Sequence, residues 1–258
     1  VYKTINDWIK QKTKRGIKMP RRPRCLDLCS GTGSVADALR SVGCDVTTLD
    51  ITDEHGPVDV LADITEWGAY RSMPRDAFDL VWASPPCRYF SSARRLSVPR
   101  HFSLEQLNDD VFVHGLPPVV AALEVMAHFA PHATCVLENP ASGCLGRILE
   151  DAGRGDHVLQ HKVYADYCMY STPEQTHPKK RTALFSNRDL AGECGFVPRL
   201  CRGGTCGTTV EGRHARTISR NRSRCYGLEG SCGGTSRLAD RMRVPAGLVR
   251  DLAAAAVL

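Results

Sequence analysis

The chain has 258 residues, enough for one large domain, and carries twelve cysteines and a formal net charge of +6. No apolar run approaches the length of a membrane span and no signal-peptide pattern opens the sequence, so a membrane protein is not expected. The cysteines are scattered, and several lie inside apolar runs, which favours reduced thiols and an intracellular location, cytoplasmic or nuclear.

The charge is divided along the chain. Residues 1–24 carry nine Lys or Arg against one Asp, residues 25–187 carry thirteen basic against twenty-one acidic side chains, and residues 188–250 carry twelve against five. An acidic middle between two basic ends suits a polyanion that the ends hold while chemistry proceeds in the middle. A solvated basic tail beside an ordinary arginine-rich surface would give the same division.

An alternation of strands and helices begins at Cys25. The pattern predicts a strand in CLDLC, a glycine turn in SGTGS, a helix in VADALRSVG and a second strand in DVTTLD. Asp50 ends this second strand twenty-three residues after Asp27, where an acid suits a ribose hydroxyl contact. The turn lacks the third glycine of the dinucleotide fingerprint, which argues against a nicotinamide or flavin cofactor.

The same alternation continues to residue 187. VDVLADI predicts a strand that ends near Asp63, Ser103 with Gln106 predicts a helix-capping box, and residues 119–129 predict an apolar helix. Further strands are predicted in ATCVLENP, VYADYCMYS and TALFSN. Together these elements predict an α/β fold built on a doubly wound, mostly parallel sheet.

The stretch FDLVWASPPCRYFSSARR, residues 78–95, carries the most specific signal. Its apolar run predicts a strand buried on both faces, and the double proline that follows cannot extend the hydrogen-bond ladder. Cys87 therefore stands on a stiff turn at a strand end, where open α/β sheets bind and react with ligands. The alternative is that Cys87 is one more small buried thiol.

Three motifs, in this order, give the chain a family resemblance. LDLCSGTGS is similar to the cofactor motif of the cytosine-5 nucleic-acid methyltransferases, SPPCRYFS to their Pro-Cys-Gln-x-Phe-Ser catalytic motif, and ENP to their Glu-Asn-Val motif. The chain most resembles short phage or viral forms of the DNA enzyme. The resemblance implies the Rossmann-like α/β fold of S-adenosylmethionine-dependent methyltransferases, with a small loop-rich insertion near the C-terminus.

The charge distribution and the resemblance together predict that the chain has four parts. These are a basic extension at residues 1–24, a catalytic core at 25–187, a reduced Arg-, Gly- and Cys-rich segment at 188–236 in place of a target recognition domain, and a helix at 237–258 that returns to the core. Within the extension, residues 1–19 predict a short helix. Because the recognition segment is reduced, we expect the protein to recognise a short target sequence or to have no sequence specificity.

Catalytic roles for Cys87, Glu138 and Arg181 follow from the resemblance. Cys87 would add as a thiolate to carbon 6 of cytosine, so that carbon 5 can take the methyl group, and nearby arginines or helix ends would lower the pKa of its thiol. Glu138 would act at ring nitrogen 3 and the exocyclic amine as general acid, and Arg181 would contact the base or backbone. The base must leave the duplex to reach the thiol.

Two further groups of residues follow in the same way. The residues expected to bind S-adenosylmethionine are Asp27, Ser30, Gly31, Thr32, Gly33, Asp50, Ile51, Asp63, Ile64 and Pro85. The residues expected to contact DNA are Arg88, Ser91, Arg94, Arg95 and Asn139. No membrane and no obligatory protein partner are expected.

The chain departs from the family pattern at two places. Cys29 stands where the family usually has the phenylalanine that packs on adenine, and Trp67 is the candidate substitute. The Gln-x-Arg-x-Arg motif falls on Lys179, Arg181 and Ala183, which keeps one basic group and loses another.

The C-terminal segment is rich in thiols. It holds Cys194, Cys201, Cys206, Cys225 and Cys232, together with His214. Tight C-x-x-C pairs are missing, so free thiols are expected and no metal site is predicted, with a structural zinc as the alternative.

Three other functions stay open. The same chemistry on RNA is the closest, because a tRNA-modifying branch shares these motifs and the reduced recognition segment removes the main discriminator. Amino methylation of adenine or cytosine uses a Ser-Pro-Pro or Asp-Pro-Pro motif followed by an aromatic residue, and Cys87 at that place argues against it. A cofactor-binding or nucleic-acid-binding module without turnover is the third.

Overall fold

The computed structural model of the protein describes residues 21–91, 103–152, 158–172, 175–210, 213–214 and 243–257. The helix expected in residues 1–19 lies outside these ranges, as do Arg94, Arg95, Cys225 and Cys232.

The described residues form a seven-stranded sheet, five α-helices and a small hairpin. The strands of the sheet are β1 (Arg24–Leu28), β2 (Asp45–Asp50), β3 (Val60–Leu61), β4 (Leu80–Ala83), β5 (Thr134–Pro140), β6 (His161–Asp166) and β7 (Arg181–Ser186). The helices are α1 (Ser34–Ser41), α2 (Leu104–Asp110), α3 (Leu116–Phe129), α4 (Leu145–Asp151) and α5 (Ala246–Ala256), and the hairpin consists of β8 (Thr209–Val210) and β9 (Arg213–His214).

The sheet has the strand order β3-β2-β1-β4-β5-β7-β6. Strands β1 to β5 are parallel to their neighbours, whereas β7 runs antiparallel to both β5 and β6. The prediction of a doubly wound, mostly parallel sheet is confirmed. Strand order reverses between β1 and β4, which is where open α/β sheets place their ligands.

The central strands end level with one another. Leu28 pairs with Ala83, and Ala83 pairs with Leu137. The glycine turn after β1 and the proline turn after β4 therefore meet at one edge of the sheet. Glu138, the residue after Leu137, joins them there.

Alternate residues of the central strands contribute to two separate cores. Val81 packs on one face of the sheet with Phe129 of α3, while Trp82 packs on the other face with Leu39 of α1. All four residues of β4 are buried, as a parallel strand covered on both faces requires.

Helix α5 packs against α1 on the second face. Leu248 and Val249 are buried with the apolar side of α1, and the backbone amide of Val244 donates to Ser34 Oγ at 3.1 Å. The four-part division of the chain, with its boundaries at residues 24, 187 and 236, stays a prediction.

Several elements differ from those that the sequence patterns indicate. β3 has two residues, because it is the edge strand and pairs with β2 at Leu49 and Asp50. The strand expected in VYADYCMYS ends at Asp166 and continues as a 3-10 turn over Tyr167–Tyr170. Helix α4, which is seven residues long, is too short for its period to stand out. The capping box of Ser103 and Gln106 is confirmed at the start of α2.

The helical stretch Glu105–Phe129 is long and apolar enough to cross a membrane by length and composition. A continuous helical stretch of this length was not expected, because the sequence patterns predict two separate helices. A π-helical turn at Val111–Gly115 joins them. Residues on its C-terminal half pack into the core beneath the sheet, as they do in the core helix of a globular domain. They are Val119, Ala122, Val125, Met126 and Phe129.

Gly143 lies where the turn after β5 meets the turn after β4. A Cβ atom at this position would stand 2.9 Å from the backbone oxygen of Phe90 and 3.2 Å from that of Pro140. The same Phe90 oxygen accepts a hydrogen bond from the amide of Cys144 at 3.0 Å. Close backbone approach at Gly143 thus docks the Cys87 turn onto the end of β5.

We expect Gly143→Ala to destabilise the protein by about 1–3 kcal/mol, because a backbone oxygen must move to admit the methyl group. Gly146→Ala is the matched control, since its Cβ would stand 3.4 Å from the tip of Phe185 and alanine favours the helix. Urea unfolding of both variants measures the difference. Equal stability of the two variants would contradict the docking role of Gly143.

Candidate active site

Cys87 opens a 3-10 turn, Cys87–Tyr89, directly after the two prolines that follow β4. Pro85 is buried, and its carbonyl accepts a hydrogen bond from Asn139 Nδ2 at 3.4 Å. The amides of Phe90 and Ser91 both donate to the Cys87 carbonyl, at 3.1 and 3.0 Å. The structure therefore places the thiol on a rigid turn at the strand end.

Glu138 is buried beside this turn and is held by three neighbours. Tyr167 donates its hydroxyl proton to Glu138 Oε1 at 2.7 Å, and Lys180 Nζ lies 3.5 Å from the same oxygen. The Thr182 hydroxyl contacts it as well. Because these described contacts all fall on Oε1, the second carboxylate oxygen is the one that can face a ligand.

Arg181 does not join this group. Its guanidinium makes two hydrogen bonds to Asp166, at 2.9 and 2.8 Å, and its side chain is 52% exposed. Side chains alternate between the faces of a strand, so Lys180 and Thr182 point to Glu138 while Arg181 points away. These hydrogen bonds, with one from the Cys201 amide, hold the pKa of Asp166 below its usual value although burial alone would raise it.

Lys180, Thr182 and Tyr167 were missed in the sequence. The register shows the signal that could have identified the first two. Glu138 pairs with Leu184, so Thr182, two residues before Leu184, is its diagonal neighbour on the same face. Lys180 lies two residues before Thr182, on the same side of the chain. Aligning the basic motif one residue earlier would have placed it on Lys180 and Thr182 instead of Arg181 and Ala183.

Opposing charges surround the Cys87 thiol. Burial raises the pKa of Cys87 above its ordinary value, Lys180 lowers it, and Glu138 raises it again. The expectation of a thiol pKa lowered by arginines is therefore wrong for the described residues, because burial dominates. Burial and the neighbouring Glu138 also raise the pKa of Tyr167 well above its usual range, so its hydroxyl remains a proton donor.

Buried polar side chains near the end of β1 and on the glycine turn after it lack hydrogen-bond partners. Both carboxylate oxygens of Asp27 and the hydroxyl of Ser30 make no side-chain hydrogen bond among the described residues. Burial raises the pKa of Asp27 to about 8. Gly31 and Gly33 adopt positive φ angles of 50° and 69°, which turn the backbone sharply after β1. Thr32 lies between them and is partly buried.

Asp50 stands at the end of β2, against the glycine turn. Its Oδ2 accepts a hydrogen bond from the Gly31 amide at 2.8 Å, and its Oδ1 accepts one from the Thr52 amide at 3.2 Å. Ile51, the next residue, is 67% exposed. Asp50 and Ile51 thus line the same edge as Asp27 and Ser30.

Asp63 and Ile64 follow β3. Asp63 Oδ1 accepts hydrogen bonds at 2.8 Å from both the amide and the hydroxyl of Thr65, and Ile64 is buried in the core. Trp67 is also largely buried and packs 5.8 Å from the ring of Tyr70. Cys29, where the family phenylalanine is missing, adopts a positive φ of 55°.

The residues expected at the nucleic acid fall into different environments. Arg88 is exposed, donates to the Tyr89 hydroxyl and stacks 4.6 Å above the Tyr89 ring. Ser91 is partly buried beside it. Asn139 is 1% exposed, so the structure places it in the interior, where it positions Pro85.

A viral protein is similar in sequence to this chain over nearly its whole length. A protein of Frog virus 3 (isolate Goorha), described as a probable DNA (cytosine-5)-methyltransferase, is 34% identical over 236 residues, 89% of this chain and 98% of that protein. The chain belongs to the DNA (cytosine-5)-methyltransferase family. Membership of this family confirms the resemblance and the enzyme class that the motifs predict. No protein-family model matches the chain.

Two solved methyltransferases show a weak structural similarity to this family member. A methyltransferase of Entamoeba histolytica is 11% identical with a TM-score of 0.41, over 72% of this chain and 62% of that one. An S-adenosylmethionine-dependent methyltransferase of Archaeoglobus fulgidus is 13% identical with a TM-score of 0.35, over 70% and 93%. The fold assignment therefore depends on the sheet order and on the viral relative.

Lys180 is expected to control the pH dependence of the Cys87 thiol. Because its charge lowers a pKa that burial raises, Lys180→Gln should move the Cys87 pKa further up, and a shift of about one unit reduces the thiolate population roughly tenfold at neutral pH. The rate of Cys87 alkylation by iodoacetamide, followed by mass spectrometry of its peptide across pH, measures this shift directly.

The matched control is Lys179→Gln, which removes the same charge from an exposed neighbour. Its alkylation profile should overlay that of the unmodified protein, and in both proteins the rate should rise with pH towards the alkaline range. An unchanged midpoint in Lys180→Gln would show that this lysine does not act on the thiol.

Proposed function

We propose that the chain transfers a methyl group from S-adenosylmethionine to carbon 5 of cytosine in DNA, through a covalent adduct between Cys87 and a flipped base. The observation that carries the proposal is the buried arrangement of Lys180, Glu138 and Tyr167 beside the Cys87 thiol. The description of the Frog virus 3 relative as a probable DNA (cytosine-5)-methyltransferase supports the choice of substrate.

The thiolate of Cys87 begins the reaction. Its sulfur bonds to carbon 6 of the cytosine, and the electron pair of the ring double bond moves towards carbon 5. Lys180 favours the anionic form of the thiol against the effect of burial. Transfer of the methyl group to carbon 5 would leave S-adenosylhomocysteine. Loss of the proton on carbon 5 to solvent then restores the double bond and expels the thiolate.

Glu138 acts as the general acid at ring nitrogen 3 of the base. Tyr167, Thr182 and Lys180 hold one of its oxygens, so the other is free to meet ring nitrogen 3 and the exocyclic amine. A proton shared between this carboxyl group and nitrogen 3 stabilises the negative charge that addition of the thiolate sends into the ring. The three neighbours keep the carboxyl group in place for this transfer.

The edge formed by the β1 and β2 ends fits S-adenosylmethionine. The partnerless carboxyl of Asp27 and the hydroxyl of Ser30 suit the amino and carboxylate groups of its methionine part, and Asp50 suits its ribose hydroxyls. The exposed Ile51 offers an apolar surface to the adenine. When bound, this cofactor supplies the methyl group as an activated sulfonium.

The substrate base reaches Cys87 by leaving the duplex. Arg88 is the exposed cation on the same turn as the nucleophile, which suits a phosphate contact. Arg94 and Arg95 belong to the same proposal but lie outside the described residues. Basic residues at both ends of the chain would hold the polyanion against the acidic core.

The proposal predicts that Cys87→Ser abolishes methyl transfer to cytosine-containing DNA, because the hydroxyl cannot act as a comparable nucleophile. Cys144→Ser is the matched control and should retain activity, since its residue lies near the turn but makes its contact through the backbone amide. Transfer of a tritiated methyl group measures both. A duplex that contains 5-fluorocytosine should trap a covalent adduct with the unmodified protein and none with Cys87→Ser.

Two results would overturn this mechanism. Activity of Cys87→Ser without adduct formation in the unmodified protein would exclude the thiol addition. Methylation of RNA in the same assay, with DNA left unmodified, would keep the chemistry and replace the substrate.

Asp50→Ala is expected to weaken binding of S-adenosylhomocysteine roughly ten- to a hundredfold, because a hydrogen bond to a charged group contributes about 1.5–3 kcal/mol. Asp53→Ala is the control, since that side chain is exposed three residues further on. Isothermal titration calorimetry measures both constants. Absence of binding to the unmodified protein would favour a degenerate module over an enzyme.

A further inference from the structure

Four potential metal ligands come together between the core and the C-terminal segment. They are Cys168, on the 3-10 turn after β6, Cys201 and Cys206, on a loop, and His214, on β9. One ligand atom from each lies within 4.8 Å of the other three. Cys201 Sγ and His214 Nε2 are 3.3 Å apart.

This spacing matches a tetrahedral zinc site. Zinc–sulfur bonds of about 2.3 Å and zinc–nitrogen bonds of about 2.0–2.1 Å place neighbouring ligand atoms roughly 3.5–3.8 Å apart. Because the ligand atoms lie within 4.8 Å of one another, the cluster needs at most about 1.0–1.3 Å of closure to hold an ion. Three thiols and one imidazole are also the donor set that selects zinc over magnesium or calcium.

The loop between the two cysteines is shaped around Cys201. Gly203, Gly204 and Gly207 all adopt positive φ angles, of 58°, 93° and 69°, so that the chain turns tightly in C-R-G-G-T-C-G. The Arg202 amide donates to Thr205 Oγ1 at 3.1 Å, and the Thr205 amide donates to the Arg202 carbonyl at 3.3 Å. These bonds close the turn between the two cysteines.

A disulfide accounts for fewer of the four converging side chains than a metal ion does. A bridge joins two cysteines, whereas three cysteines converge here and an imidazole nitrogen closes the group. All three are free thiols in the structure. Cys194, in the same cysteine-rich segment, is not part of the cluster.

We propose that Cys168, Cys201, Cys206 and His214 bind a structural zinc ion that fastens the C-terminal segment to the catalytic core. Four protein ligands leave no open position, so the ion has a structural and not a catalytic role. The thiols lose their protons to solvent as the metal binds. Nothing in this proposal depends on the substrate of the enzyme.

Contacts next to the cluster show what the ion would hold in place. The amide of Cys201 donates to Asp166 Oδ2 at 2.8 Å, so the loop is already anchored to the end of β6. Tyr167, between Asp166 and the ligand Cys168, donates to Glu138. The zinc would thus fix the segment and the Tyr167 hydroxyl through the same short turn.

The test is metal analysis of the full-length protein, purified under reducing conditions without chelator. We expect about one zinc ion per chain by plasma mass spectrometry, and, after exchange, the intense visible absorption that Co²⁺ gives with tetrahedral thiolate ligands. Cys168→Ser and His214→Ala should lose most of the metal. His214→Cys should retain it, because a thiolate replaces the imidazole.

Two matched controls separate this ligand set from other cysteines. Cys194→Ser, in the same segment, and the double variant Cys225→Ser/Cys232→Ser should both keep the zinc. Metal-free protein with no Co²⁺ spectrum would overturn the proposal, and so would loss of zinc from either control or retention in Cys168→Ser. Metal content is read without any methylation assay, so its outcome is independent of the proposed enzymatic function.

Discussion

A buried ion pair between Lys180 and Glu138 sets the arrangement of the candidate site. The two side chains are 8% and 6% exposed, and removing charges from water costs several kcal/mol for each ion. Tyr167 and Thr182 offset part of this cost by contacting the same carboxylate oxygen. Loss of one partner would strand a buried charge, at about 3–5 kcal/mol. The Glu138 carboxyl group is therefore oriented by folding, before any ligand is present.

The ion pair exists because β7 is inserted antiparallel between β5 and β6. Local patterns were sufficient to predict the parallel strands, their order along the chain, and the positions of Cys87 and Glu138, because each depends on a short run bounded by glycine or proline. Lys180 could not be found that way. Its role depends on the register of β7 against β5, and a shift of one residue exchanges the two faces of a strand, which is why the sequence pointed to Arg181 instead.

At the ends of β1 and β2, the sequence predicts some features of the candidate cofactor site and leaves others undetected. The glycine turn and Asp50 were predictable, because glycine and a strand-end acid leave a local signature. The strained backbone of Cys29 was not predictable from the sequence. A left-handed conformation costs a residue with a Cβ about 1–2 kcal/mol, and a cysteine gives no sign that it adopts one. Asp27 and Ser30 are likewise buried without partners, at a cost that a bound ligand can recover. Strain and unsatisfied polar groups at one edge are typical of a site shaped for a ligand.

Three consecutive residues connect this catalytic arrangement to the C-terminal segment. Asp166 binds Arg181 and the Cys201 amide, Tyr167 binds Glu138, and Cys168 belongs to the thiol cluster. The connection was invisible in the sequence, because Cys168 lies in a stretch that reads as a buried strand, thirty-three residues before Cys201. A change at the cluster would therefore reach the carboxyl group through a single residue. The described part of the C-terminal segment is thus linked by direct contacts to the residues that hold Glu138.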